Sequence, residues 1–215
     1  MAYLMPVLAL LAAYLIGGIP FGYLVVKWTT GADVRSFGSG NIGATNVLRT
    51  TGRAAGVLTL LLDIAKGAFA VWLAGKFTSG SVHWMSAAAL AVMAGHAFPI
   101  FLNFKGGKAV ASFVGAYLVL APIPLAAVAI VFFCAVAVTR HVSLGSVLAA
   151  GMFPLAVWMF MQPPLSLVGA SIVSGAFIIY RHRTNLARIR AGTEHVLSLG
   201  SRKTHSVARW RTRRS

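Results

Sequence analysis

The sequence predicts an all-α integral membrane protein with seven transmembrane helices, its N-terminus on the periplasmic or outer side and its C-terminus in the cytoplasm. Three observations lead there. Charged residues make up 10% of the 215 and hydrophobic residues 58%, whereas a soluble domain carries about a quarter charged residues; the mean hydropathy is +0.81. The apolar residues fall into runs that approach the roughly 20 residues needed to cross hydrocarbon. The formal net charge of +16 is gathered mostly between and after those runs.

The first run is Leu4 to Val26. Residues 1–26 carry no charge, and the first cation, Lys27, follows the run. A signal peptide has its positive charge in front, so this run reads as a helix with its N-terminus outside and Lys27 inside. The second run, Ala54 to Gly75, contains Asp63 and Lys66. Ions in hydrocarbon must pair or face the bundle, and the spacing of three suits a structural pair. The third run is about Trp84 to Phe104. Ala109 to Thr139 is too long for one helix and short for two. Lys105 and Lys108 precede it and Arg140 and His141 follow; if both clusters are cytoplasmic, the run crosses twice. Ala121-Pro122-Ile123-Pro124 supplies the turn, because proline breaks a helix and restricts its predecessor. The Lys105–Lys108 segment is expected to dip into the membrane. Leu144 to Met161 and Leu165 to Tyr180 complete the seven, joined by an outside turn at Gln162-Pro163-Pro164.

Segments 27–53, 105–108 and 140–143 then face the cytoplasm with the C-terminal tail, and Lys76 is the clear outside cation. Residues 1–195 read as one membrane domain and 196–215 as a basic cytoplasmic tail. Ten of the 19 Lys and Arg residues lie from Arg181 onward. The positive-inside rule accounts for such a tail, and contact with anionic lipid is its expected role. Nothing in it resembles a nucleic-acid module. The single cysteine, Cys134, excludes an intramolecular disulfide.

The polar motifs all fall in the inner segments. Gly38-Ser39-Gly40-Asn41-Ile42-Gly43-Ala44-Thr45-Asn46, leading to Arg49, combines glycines with hydroxyls, amides and a cation. Glycine lets backbone N–H groups approach an anion, and a helix would put Thr45, Asn46 and Arg49 on one side. The string suits a phosphate cradle or a flexible inter-helix loop. Lys105-Gly106-Gly107-Lys108 is a second anion-binding candidate or a basic turn set by topology. His96, inside an apolar run, is more often structural than functional. His182 and Asn185 stand three apart, hence neighbours on a helix, and Ser143 follows Arg140-His141.

Asp33, Asp63 and Glu194 are the only acidic residues, so a paired-carboxylate mechanism is not expected. No aspartate stands five residues after any histidine, no zinc motif is written, and no Gly-x-Ser-x-Gly elbow appears. A transporter of an anion would share the helices and cations, but it would carry its site near the midplane rather than at helix ends.

At these motifs the sequence resembles the bacterial acyl-phosphate:glycerol-3-phosphate acyltransferase family (PlsY type). GSGNIGATNVLR at 38–49, GHAFPIFLNFKGGKAVA at 95–111 and IYRHRTNLARI at 179–189 carry the resemblance. It implies transfer of an acyl chain from acyl phosphate to the 1-hydroxyl of glycerol 3-phosphate. The products are 1-acylglycerol 3-phosphate (lysophosphatidate) and inorganic phosphate, in the first acylation of phospholipid synthesis at the bacterial inner membrane. It implies Ser39, Arg49, Lys108, His182 and Asn185 as the main active-site residues. Ser39 and nearby amides, including those of Gly40 and Asn41, would hold one phosphate with Thr45 and Asn46 assisting. Arg49 and Lys108 would bind phosphate and offset charge, and His182 and Asn185 would hold the glycerol hydroxyls. Ser143 would stand near phosphate, and Gly106 and Gly107 would offer amides to the acyl phosphate. No cofactor, no metal and no nucleic-acid partner is implied; the expected partners are the two substrates and membrane lipid, with a monomer as the working unit. The base is either His182 or a phosphate oxygen of the donor, and the resemblance points to the latter.

Overall fold

The computed structural model describes residues 3–196, all of it helix or connecting segment. The basic tail, Val196 apart, lies outside the described residues. Ten α-helices run in the order α1 (Leu4–Gly18), α2 (Phe21–Thr30), α3 (Ala44–Thr50), α4 (Arg53–Phe77), α5 (Val82–Ala97), α6 (Val110–Leu120), α7 (Pro122–Thr139), α8 (Val142–Phe160), α9 (Leu165–Arg181) and α10 (Arg183–Arg190). Single 3-10 turns occupy Val34–Ser36 and Ile100–Leu102.

The first apolar run is not one continuous helix. It breaks at Ile19-Pro20, because proline has no N–H to continue the ladder, and the chain resumes as α2 beyond the expected end at Val26. The third run also ends early: the helix stops at Ala97, and Phe98-Pro99 begins an irregular segment reaching Ala109. The long run divides where the prolines stand, with Ala121 between α6 and α7. Five stretches among the described residues are long and apolar enough to cross a bilayer, α1 with α2 counting as one, and six if α9 and α10 are joined across their 51° bend. At 11 residues α6 falls short of a full crossing; at about 1.5 Å per residue it spans only half the hydrocarbon.

Helix α4 packs on α6, α5 and α1, α1 on α5, α7 on α8, and α8 on α9. The fully buried rings of Phe113, Tyr117 and Phe153 meet with centroids 4.6–4.9 Å apart, and the Tyr117 hydroxyl is satisfied by Ser174 Oγ at 2.9 Å. In hydrocarbon there is no hydrophobic drive between helices, so close backbone approach at small residues must hold them. Gly67 sits on the Ser112 carbonyl and Gly115 on the Ile64 carbonyl, each leaving no room for a Cβ. These two positions set the distance between α4 and α6.

Outside α4, the described Lys and Arg residues lie in α2, the 31–53 segment, the 98–109 segment, the α7–α8 junction, and the end of α9 with α10. Lys76 is at the opposite end of α4. Replacing Gly115 by leucine should force α4 and α6 apart and cost roughly 1–3 kcal/mol, read as a lower melting temperature in detergent. An unchanged melting curve would contradict the close packing.

Candidate active site

The segment between α2 and α3 is fixed from its own side chains. Asp33 accepts the Arg35 N–H at 2.9 Å and pairs with the Arg35 guanidinium at 2.7 Å. Gly38 and Gly40 take left-handed φ values of 58° and 70°, where glycine alone is unstrained. Asn46, 2% exposed, then knits the loop: its Oδ1 accepts Ser39 N–H at 2.9 Å, and its Nδ2 donates to Asn41 O at 2.8 Å and Phe37 O at 3.1 Å. Thr45, Asn46 and Arg49 therefore share α3 as expected, but they do not do the same work. The Asn46 amide is spent on the loop, whereas Ser39 Oγ, Thr45 Oγ1 and the Arg49 guanidinium form no hydrogen bond to a described residue and border the same cavity.

The 98–109 segment returns the chain from α5 to α6. Its glycine amides point inward: Gly106 N–H donates to Ala97 O at 3.2 Å and Gly107 N–H to His96 O at 3.0 Å. They are not free for an anion, which corrects the expectation that Gly106 and Gly107 offer amides to a substrate. Their smallness is what the site uses, since a Cβ on either would run into His96. The glycine carbonyls are taken too. Arg181 donates to Gly107 O at 2.7 Å and 3.2 Å and to Gly106 O at 3.3 Å, and its guanidinium lies over Phe98. Lys108 emerges from this turn and donates to Asn185 Oδ1 at 2.5 Å.

His182 stands at the break between α9 and α10 rather than within one helix with Asn185. Its Nδ1 contacts Ile178 O at 2.8 Å; a carbonyl only accepts, so Nδ1 carries the proton and Nε2 is left as an acceptor. Burial, then the Lys108 ammonium, push the His182 imidazole down to about 4, so it is neutral at pH 7. Burial, with Arg188, Arg181 and Arg49 against the opposing Glu194, brings the Lys108 ammonium down to about 8.

Glu194 was visible in the sequence only as one of three acidic residues, yet it ties the site together. Its Oε1 accepts Asn185 Nδ2 at 2.6 Å and Ser143 Oγ at 2.9 Å, and its Oε2 accepts Arg188 Nε at 2.7 Å. Burial opposes the charge, but these three hydrogen bonds hold the carboxyl below the usual carboxylate range. A rare acid in so cationic a segment was the available signal. Arg181 and Arg188 carried no signal apart from their neighbours.

Ser39, Asn41, Thr45, Arg49, Lys108, Ser143, His182 and Asn185 thus line one end of a cavity of about 630 Å³, inside the range for small-molecule sites. Gly40, Gly106 and Gly107 do not border it. The first turns of α6 and α8 do, presenting helix N-termini that favour anions. Much of the remaining wall is apolar, from Leu60 and Ile64 of α4 through Val114 and Leu118 of α6 to Leu125, Ala129 and Phe133 of α7. An arrangement of cations, hydroxyls and a neutral imidazole above a greasy groove suits a ligand with an anionic head and a long apolar chain.

Comparison with known proteins agrees. The family model described as glycerol-3-phosphate acyltransferase matches residues 7–192. A glycerol-3-phosphate acyltransferase of Desulforamulus reducens is 42% identical over 204 residues, covering 95% of this chain and 100% of the relative. One from Geobacter sulfurreducens is 45% identical over 183 residues, covering 85% and 93%. The crystal structure of PlsY (YgiH), an integral membrane glycerol 3-phosphate acyltransferase, in its glycerol 3-phosphate form superposes with a TM-score of 0.85 at 36% identity, covering 90% of this chain and 96% of that one. Its lysophosphatidic acid form gives 0.82 at 35%, covering 90% and 95%.

The folded pKa of His182 lies below that of an unfolded histidine, near 6.5. Between the two values the unfolded chain binds the extra proton, so stability should fall as pH drops from about 6.5 toward 4 and be unaffected by this group above that window. Melting in detergent across this range should show a shallower dependence in His182→Gln than in the parent; equal slopes would place the imidazole in water.

Proposed function

The chain belongs to the glycerol-3-phosphate acyltransferase family, and from that premise we propose that it transfers an acyl chain from acyl phosphate to the 1-hydroxyl of glycerol 3-phosphate. The products are lysophosphatidate and inorganic phosphate. The observation that carries this reading is the gathering of Ser39, Arg49, Lys108, Ser143, His182 and Asn185 on a cavity whose walls are otherwise mostly apolar. Two phosphorylated substrates need two sets of cationic and hydroxyl contacts, and an acyl chain needs the groove.

Ser39, Thr45 and Arg49 hold one phosphate, with the Gly40 and Asn41 backbone nearby; Lys108, Ser143 and the first turns of α6 and α8 hold the other. Asn185 orients Lys108 and, with His182 Nε2, accepts hydrogen bonds from the glycerol hydroxyls. The hydroxyl oxygen attacks the acyl carbonyl carbon, the bond from that carbon to the phosphate oxygen breaks, and Lys108 and Arg49 offset the charge that builds on phosphate. An imidazole held near 4 is a poor base at pH 7, so the hydroxyl proton passes to an oxygen of the departing phosphate. Acyl phosphate is already activated, and positioning supplies much of the rate. No metal or cofactor takes part.

The same reading sets the chain in the bacterial inner membrane as a monomer with seven crossings, the short α6 being one of them. The N-terminus is outside, and the cationic ends of the helices, with the site, face the cytoplasm. The clustering of Lys and Arg at one end supports this orientation. Residues 1–195 form the catalytic domain, and 196–215 hold the surface of anionic lipid.

Purified protein given synthetic acyl phosphate and glycerol 3-phosphate should release phosphate and lysophosphatidate in equal amounts. Lys108→Ala and Ser39→Ala should each lose about a hundredfold or more in kcat/KM. Turnover should also decline above pH about 8 as Lys108 loses its proton. Acylation from acyl-CoA alone, or full activity in Lys108→Ala, would overturn the assignment.

A further inference from the structure

Below the Gly106-Gly107 turn lies a chain of buried polar groups that the reaction as described does not use. Lys66 Nζ lies 2.8 Å from Asp63 Oδ1 and donates to the Ile19 carbonyl at 2.8 Å, where α1 breaks. Asp63 Oδ1 lies 3.6 Å from His96 Nδ1, and Ser112 Oγ is 3.2 Å from the same nitrogen. All four side chains are within 5% of complete burial, and Asp63 and His96 border the cavity. Such a chain is poor value for stability, since apolar residues of similar volume are often as stabilising as a buried ion pair.

What the chain reaches is more telling. His96 touches the chain on both sides of Lys108, the Gly107 backbone before it and the Ser112 hydroxyl after it. Its ring lies against Gly107 so closely that a Cβ there would enter it, its carbonyl accepts the Gly107 N–H, and its Nδ1 meets Ser112 in the first turn of α6. Between these two grips the backbone is strained at Ala109, next to Lys108, which holds a left-handed φ of 62°. A non-glycine residue keeps such a conformation only where its surroundings over-determine it.

We propose that His96, its ring hydrogen-bonded to Ser112 and flanked by the Asp63–Lys66 ion pair, is a positioning residue for Lys108, holding the strained turn that aims the ammonium at Asn185 and the cavity. The inference rests on the acyltransferase reading for its effect on turnover, but not for its effect on the lysine.

The test uses His96→Asn, which keeps a polar atom near the place of Nδ1 but has no ring behind Gly107. A second variant, Asp63→Leu with Lys66→Met, removes the anchor and leaves an apolar core. Both should melt within a few degrees of the parent in detergent while losing about tenfold or more in kcat, with KM for glycerol 3-phosphate changed far less. Independently, Lys108 should react several-fold faster with a small water-soluble amine reagent, read by peptide mass spectrometry, because it is no longer held in the pocket. Parental turnover in either variant, a loss of activity that only follows a loss of folded protein, or an unchanged Lys108 labelling rate would overturn the proposal. If the parent fails to use acyl phosphate while the labelling rate still rises in the variants, the acyltransferase reading falls and the placement of Lys108 by His96 stands.

Discussion

Polar groups in hydrocarbon must find partners inside the protein, and this constraint decides where the chain may leave the helix. The irregular 98–109 segment is tolerable because both faces of its glycine turn are satisfied, the amides by the carbonyls of His96 and Ala97 and the carbonyls by Arg181. The break at Ile19-Pro20 is tolerable for the same reason, with the Ile19 carbonyl accepting both the Phe21 N–H at 3.1 Å and the Lys66 ammonium at 2.8 Å. Breaks that would be defects in a simple bundle thus become the places where side chains can be displayed at the membrane edge.

The site divides its labour along similar lines. Residues that look equivalent in a motif are separated by the fold into those that build the cradle and those that face the cavity. Asn46, Gly106, Gly107 and Arg181 are consumed in construction, whereas Ser39, Thr45 and Arg49 keep their side-chain polar atoms uncommitted toward described residues. Glu194 joins Ser143, Asn185 and Arg188 and so fixes the start of α8 against α10. Its negative charge also tempers the mutual repulsion of the cations crowded at the cavity.

Much of this was legible in the residues. Apolar runs marked the helices, Pro122 the division between α6 and α7, and charge set the polar motifs at one set of helix ends. What escaped was tertiary. The spacing of Thr45, Asn46 and Arg49 defines a helical face but not which side chain bends back to the loop, because that depends on the path of residues 37–41. The pattern Lys-Gly-Gly-Lys reads equally well as an anion nest or as a tight packing turn; only the proximity of His96 decides. The joint role of Glu194 could not be read because its partners lie 51 and 9 residues away in the chain. The early end of the first helix is explained by Pro20, which stands inside the run from Leu4 to Val26.

The apolar groove has a wall missing. Val57 and Leu60 of α4, Leu118 of α6 and Phe133 of α7 border the cavity and are at the same time outward-facing, 42–67% exposed. A chain lying there touches protein on one side and bilayer on the other. Such an enzyme meets its greasy reactant in two dimensions and its water-soluble reactant in three. On the proposed reaction a lipid product would need no exit tunnel; it would already be in the leaflet when the bond is made, and would depart by sideways diffusion. Turnover in such an arrangement depends on the amount of donor per area of membrane rather than per volume of cell, so dilution with inert lipid slows it even when every bulk concentration is kept constant.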